Sequence, residues 1–310
     1  MNTITITLNP AYDIYCRISS FELHRENLIR EVFRSAGGKS INITRALVKN
    51  GLPSEAIMLL GRNNCEFYEN ALKEENIVYH PFYTDASIRE NFTVIPDNDS
   101  ETRICFDNFT ADKSVLDDVI EKIREMANKN DILTFSGKFP KGICKEDALD
   151  FLRNLKEIST KLVVDTNSLT GSETVSVSPW LIKPNEQEIE AFMGRRINDK
   201  EEIIEEAQKI HRMGVENVLI TLGGEGAVYA GSEGVYVASA PKITVLSTVG
   251  SGDSSIAGFI AATVDGKPIE ERIRTAIAFG SAACLREGTA PPLGEDILRL
   301  KGEITVRKVI

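Results

Sequence analysis

The chain has 310 residues, 42% of them hydrophobic, and a formal net charge of -10. That length and apolar content support a full core without staples, and the acidic balance weighs against a nucleic acid or an anionic membrane surface as partner. Five cysteines (16, 65, 105, 144 and 284) show no C-x-x-C spacing, and His24, His80 and His211 do not cluster with them, so the expectation is a reduced cytoplasmic protein without structural zinc.

The chain opens on TITITL (3–8), a β-branched alternation that reads as a strand and lacks the basic-then-apolar pattern of a secretory signal. DIYCRIS (13–19) and NLIREVFRS (27–35) carry the alternation of antiparallel strands. EAIMLLG (55–61) is a second apolar strand, and RENFTVIPDNDSETRICFD (89–107) is a hairpin around the turn DNDS (97–100). Beyond it, SVLDDVIEKIREMANK (114–129) and KEEIIEEAQKIHRMG (200–214) are helical, interleaved with the strands DILTFSG (131–137), KLVVDTN (161–167), WLIKPN (180–185) and NVLITLGG (217–224). Strands alternating with helices imply an α/β fold with a mainly parallel central sheet flanked by helices. The segments near 13–35 and 87–107 are expected to form a small β-sheet lid over its ligand crevice, or else ordinary edge hairpins. With no repeat or linker, 1–310 reads as one domain, and no apolar run approaches the roughly 18 residues of a membrane span.

Several segments carry candidate chemistry. TLNPAYD (7–13) leaves the first strand through a Pro turn and presents Asp13, suited to sugar hydroxyls or simply to forming the turn. SAGGKSINITRAL (35–47) fails as a P-loop, because Phe33 stands where the first glycine would be needed. What remains is the turn Gly37-Gly38 entering an amphipathic helix with Lys39 and Asn42 in its first turns. That placement suits a small polar ligand; a plain cap with a surface lysine is the alternative. In KPNEQE (183–188), Asn185 and Glu188 are spaced to share a helix face and hold a hydrated magnesium ion, or to cap the helix. TLGGEGA (221–227) is a glycine turn that can pass close to a nucleotide.

STVGSGDSS (247–255) runs into the apolar IAGFIAAT. Unpaired N–H groups and the helix dipole make Gly250, Ser251 and Gly252 a candidate anion cradle. Asp253 beside it suits a base that takes a proton from a nucleophile attacking phosphate, or else caps the helix. Val249 stands where a nucleophile elbow would need glycine, which sets aside a serine hydrolase.

In this order TLNPAYD, GGKSIN, IRENFTV, SGKFPKG, KPNEQE, TLGGEGA and STVGSGDSSIAGF resemble the ribokinase-like sugar kinases of the phosphofructokinase B family, especially its 1-phosphofructokinase and tagatose-6-phosphate kinase branch. The resemblance implies a ribokinase-like fold with a β lid, ATP as donor with Mg²⁺, and a homodimer through the lid. It implies phosphorylation of a ketohexose phosphate (fructose 1-phosphate, or tagatose 6-phosphate or fructose 6-phosphate) to the bisphosphate. Asp253 falls on the catalytic base and Gly250, Ser251 and Gly252 on the anion hole. Asp13, Gly37, Gly38, Lys39, Asn42, Ser136 and Lys138 fall on the substrate side, with Arg89 on the substrate's existing phosphate. Lys183, Asn185, Thr221, Gly223, Gly224 and Gly226 fall on the nucleotide side, and Asn185 with Glu188 on a magnesium element acting through water.

The chain departs from the family pattern at Ser40, Lys138-Phe139, Ile88, Glu90 and Asn167-Ser168. Lys138 would add a cation to the phosphate pocket, and Glu90 an anion beside Arg89. Two other readings share the fold: a kinase of an unphosphorylated sugar or nucleoside, and a non-catalytic sensor of sugar phosphate or nucleotide.

Overall fold

The computed structural model describes residues 1–97, 100–197 and 199–310, so Asn98 and Asp99 of the expected turn lie outside the described residues. In chain order the strands are β1 (Thr3–Thr7), β2 (Ala11–Ile18), β3 (Glu31–Gly37), β4 (Glu55–Gly61), β5 (Val78–Thr84), β6 (Arg89–Pro96) and β7 (Thr102–Cys105). There follow β8 (Ile132–Ser136), β9 (Lys161–Asp165), β10 (Leu181–Ile182), β11 (Asn217–Thr221), β12 (Ala227–Gly231), β13 (Gly234–Ala238) and β14 (Val306–Lys308).

Ten of them form one sheet in the order β14-β13-β12-β11-β10-β9-β8-β1-β4-β5. From β5 to β11 every pairing is parallel, and the other three strands add antiparallel at one edge. All five residues of β1 are buried, as a strand covered on both faces requires. Neighbouring residues feed opposite cores. Ile132, Val163, Leu181 and Leu219 pack with Ile256, Phe259 and Ile273, whereas Leu133, Phe135, Leu162 and Val164 pack with Leu152 and Leu155.

The sequence reading passes over β5 and the β12–β14 edge. Pro81 interrupts the pattern of β5, and proline is tolerated there because the strand is terminal in the sheet. Among the described residues, no helix is long and apolar enough to cross a membrane.

The second sheet runs β3-β2-β6-β7. Its two outer pairings are antiparallel, as the alternation predicts, but β2 and β6 join them in parallel. Between β1 and β8 the main sheet reverses its direction of winding, which opens a crevice at the strands' carboxyl ends.

Candidate active site

Asp13 lies on β2 of the second sheet, six residues beyond the end of β1, so it is not a carboxyl-end residue of the main sheet. Asn91, directly across on β6, donates from Nδ2 to Asp13 Oδ1 at 3.1 Å. Burial raises the Asp13 pKa, with Asn91 and then nearby arginines opposing the shift. Gly37 is there for space: a Cβ on it would lie 2.1 Å from Asp13 Oδ2. Gly38 then caps the Lys39–Lys49 helix with no side-chain bond.

Arg89 sits half-buried at the start of β6, its Nη1 donating to Asn91 Oδ1 at 3.1 Å. Its Nε is buried without a partner, as are Asn9 Oδ1 and Asn42 Oδ1. Buried polar atoms left unpaired are costly, so this set fits a polar ligand that would complete them.

Asp253 is 6% exposed in the first turn of the Ser251–Val264 helix. It does not cap that helix: the cap position is Gly250, left-handed at φ 79°, with no side-chain bond. Instead Asn42 Nδ2 donates to Asp253 Oδ2 at 2.9 Å. Burial, and then the charge of Asp165, push Asp253 up to about 6. No backbone carbonyl among the described residues takes the N–H groups of Gly252 or Asp253, while that of Ser251 points at the Thr248 carbonyl at 3.3 Å. A carboxylate of raised pKa beside open helix N–H groups is equipped to accept a proton next to a developing anion.

Lys39 is not a plain surface lysine, since its Nζ donates to Asp165 Oδ2 at 3.1 Å. Ser136 Oγ donates to the same oxygen at 3.1 Å. Burial alone would raise Asp165, but Lys39 and Lys183 hold it below the usual carboxylate range. Burial pulls Lys39 down, and Asp165, Asp253 and Glu188 more than restore it.

A cavity of about 420 Å³ adjoins the Ser251–Val264 helix and is lined by Lys183, Asn185, Thr221, Gly223, Gly224 and Gly226 together with Ser251 and Gly252. It therefore gathers every nucleotide-side residue expected from the sequence. Buried Lys183 reaches the hole from below, its Nζ 2.9 Å from where a Cβ on Gly252 would sit. Asn185 and Glu188 form a capping box, with Glu188 N–H donating to Asn185 Oδ1 at 2.9 Å and Asn185 N–H to Glu188 Oε2 at 2.8 Å. No cluster of three or more metal-ligating His, Cys, Asp or Glu side chains exists among the described residues. The oxygen donors Asp165, Asn185 and Glu188 fit a hydrated Mg²⁺ that takes most of its ligands from water and phosphate.

One expected feature changes place. Glu90 does not stand beside Arg89 in the pocket; alternation along β6 turns it to the opposite face, where Arg34 binds it at 2.7 Å. Lys138 is exposed and acts on Asp107, which Lys141 already holds at 2.5 Å. Sequence reasoning missed Asp165 as a hub and Arg103 on β7. Arg103 stands opposite Thr93, which stands opposite Tyr15, so it shares the sheet face of Asp13, and its charge acts on Asp13 and Arg89. The alternation of TRIC after the turn marks Arg103 as a strand residue but does not say which face it takes.

Residues 7–296 match the family described as pfkB family carbohydrate kinase. The 1-phosphofructokinase of Haemophilus influenzae is 29% identical over 91% of this chain and 90% of its own. That of Borreliella burgdorferi is 30% identical over 91% of each. Phosphofructokinase-2 from Escherichia coli, solved in complex with substrates and products, superimposes with a TM-score of 0.92 at 24% identity, over 98% of this chain and 99% of that one.

Proposed function

The chain belongs to the pfkB family of carbohydrate kinases, and from that premise we propose that it transfers the γ-phosphoryl group of ATP to a hydroxyl of a ketohexose phosphate, giving the bisphosphate. The observation that carries the reading is the buried Asp253, raised to about 6 and held by Asn42 at the open helix N-terminus. Asp253 accepts the acceptor hydroxyl's proton as the oxygen attacks phosphorus. The open N–H groups of Gly252 and Asp253 and the Lys183 ammonium meet the charge that develops on the transferred group.

Asp13 and Asn42 orient the sugar, and Arg89 with Arg103 supplies a cationic pair for its existing phosphate. The names of the curated relatives support a phosphorylated ketohexose. Mg²⁺, when bound, neutralises the donor phosphates, with Glu188, Asn185 and Asp165 as its water-mediated or direct partners. The second sheet acts as a lid that excludes water from the transfer.

The test is ADP formation with MgATP against fructose 1-phosphate, fructose 6-phosphate, tagatose 6-phosphate and free hexoses. One phosphorylated ketohexose should exceed every free hexose by at least about 100-fold in kcat/KM, the scale of a lost charge-assisted contact. Equal turnover of free hexoses would favour the unphosphorylated acceptor, and binding without ADP would favour a sensor.

We also propose pairing of two chains through the lid. Its face opposite Asp13 exposes Val32 at 57% and Ile104 at 49%, beside the buried Ile14 and Cys16. Sedimentation should give twice the chain mass, and Ile104→Glu should halve it; a monomeric parent chain would refute the pairing.

A further inference from the structure

We propose that Tyr15 couples the seating of the second sheet to the geometry of the anion hole, so that phosphoryl transfer proceeds only with that sheet closed over the acceptor. The inference rests on the kinase reading above. It concerns a positioning residue, because Tyr15 touches neither phosphate nor sugar in the assigned roles.

Tyr15 lies two residues along β2 from Asp13 and therefore on the same face. Its side chain leaves the sheet and enters the body of the molecule, where the residue is only 8% exposed. There it meets the turn that follows the Ile269–Ala283 helix. Gly288 is in the left-handed region at φ 60°, and a Cβ built on it would lie 2.7 Å from Tyr15 Cζ and 2.9 Å from Cε2. The ring thus fills the space that any other residue at 288 would need.

The contact continues to the hole. Thr289 is buried beside the Tyr15 hydroxyl. Its Cγ2 and Cα stand 3.7 and 3.8 Å from the Cβ position of Gly250, the residue that opens the hole. Asn42 Nδ2 stands 3.9 Å from the same position, and this is the amide that donates to Asp253. The base's partner and the turn on which the lid ring rests therefore both line the Cβ side of Gly250. Arg17, two residues further along β2, adds a 2.7 Å ion pair to Glu287 on the same turn. That pair is exposed and contributes little energy, but it aligns β2 along 287–289.

The physical consequence is a coupling. Acceptor contacts on Asp13 hold β2 down; β2 presses the Tyr15 ring on Gly288; Thr289 then backs Gly250. With β2 lifted, Gly250 loses one wall, and a left-handed glycine has wide conformational freedom. ATP bound without acceptor then faces a loose hole, which suppresses its transfer to water.

Tyr15→Ala, Tyr15→Phe and Gly288→Ala separate this from a merely structural role. For each, bisphosphate and ADP are quantified independently at saturating acceptor, well below the melting temperature. Tyr15→Ala should lower kcat at least tenfold with the KM for ATP unchanged, and keep the ratio of ADP to bisphosphate at one, since a loosened hole serves neither acceptor nor water. Gly288→Ala, acting from the other side, should do the same, while Tyr15→Phe keeps the ring and should keep both kcat and a ratio of one. Should Tyr15→Ala fail to fold, Tyr15→Leu preserves the apolar burial and makes the same prediction. A lowered melting temperature with kcat untouched overturns the inference, as does a ratio above one or a change in acceptor KM alone. A wild-type chain silent with every sugar would sink the kinase reading instead, so the two failures are told apart.

Discussion

Asp253→Asn is expected to lower kcat by about 10² to 10⁴-fold, the range of a general base, while the melting temperature at pH 8 holds or rises. The two halves share one cause. Burial and Asp165 raise the Asp253 pKa from 3.8 to about 6. At about 1.4 kcal/mol per pKa unit, keeping this carboxylate ionised inside the fold costs about 3 kcal/mol. The unfolded chain ionises first, so the fold loses this stability as pH rises from about 4 to about 6 and carries the full cost above that. A neutral amide escapes the cost and still accepts the Asn42 hydrogen bond.

The gain from Asp253→Asn should therefore shrink as calorimetry is repeated towards pH 4. The same pKa sets the rate: kcat/KM should fall on the acid side with a midpoint near 6. Asp165→Asn removes a neighbouring negative charge and frees Lys39, so it should move that midpoint lower. A variant with more than a tenth of wild-type kcat would remove Asp253 from the base role.

The parts of this site legible in the sequence are those carried by contiguous residues. Gly250 to Asp253 at the head of an apolar helix could be read because glycines, acid and helix adjoin in the chain. The β-α alternation was equally local, since period and residue type alone announce it. Asp165 was not legible as a hub. Its partners Lys39 and Ser136 lie 126 and 29 residues away, and only the sheet order puts β8 beside β9.

Glu90 shows a subtler limit. Adjacency to Arg89 in sequence suggested a shared pocket, yet neighbours on a strand face opposite ways, and its partner Arg34 sits on β3. Arg103 needed the register of β6 with β7, which the sequence around the turn does not state. The pair Asn185 and Glu188 permitted two meanings, and the capping box uses the Asn185 oxygen and one Glu188 oxygen, leaving the other carboxylate oxygen outside the box.

Arg89→Ala should cut kcat/KM for the phosphorylated acceptor by about 10² to 10³-fold, mostly through KM, with the KM for ATP unchanged. A guanidinium bonded to phosphate makes charge-assisted contacts of about 1.5 to 3 kcal/mol each, and the fork offers two. Arg89 is half-buried, which lowers its pKa through desolvation although nearby Asp13 opposes this, and its Nε has no protein partner. A cation already stripped of water has less to lose on meeting an anion.

Arg103 is exposed, so Arg103→Ala should cost less, on the order of tenfold, and the double variant should fall short of the sum because both act on one phosphate. Arg89 also bonds Asn91, which positions Asp13, so the alanine variant has a second route to damage. Arg89→Lys separates the routes. It keeps the charge without the fork, and should recover part of the affinity for a sugar phosphate while leaving turnover of free hexoses where the parent chain has it. If the acceptor KM ignores Arg89 and rises instead in Lys138→Ala, the phosphate sits at the other end of the crevice. The attacked hydroxyl would then lie at the opposite end of the sugar.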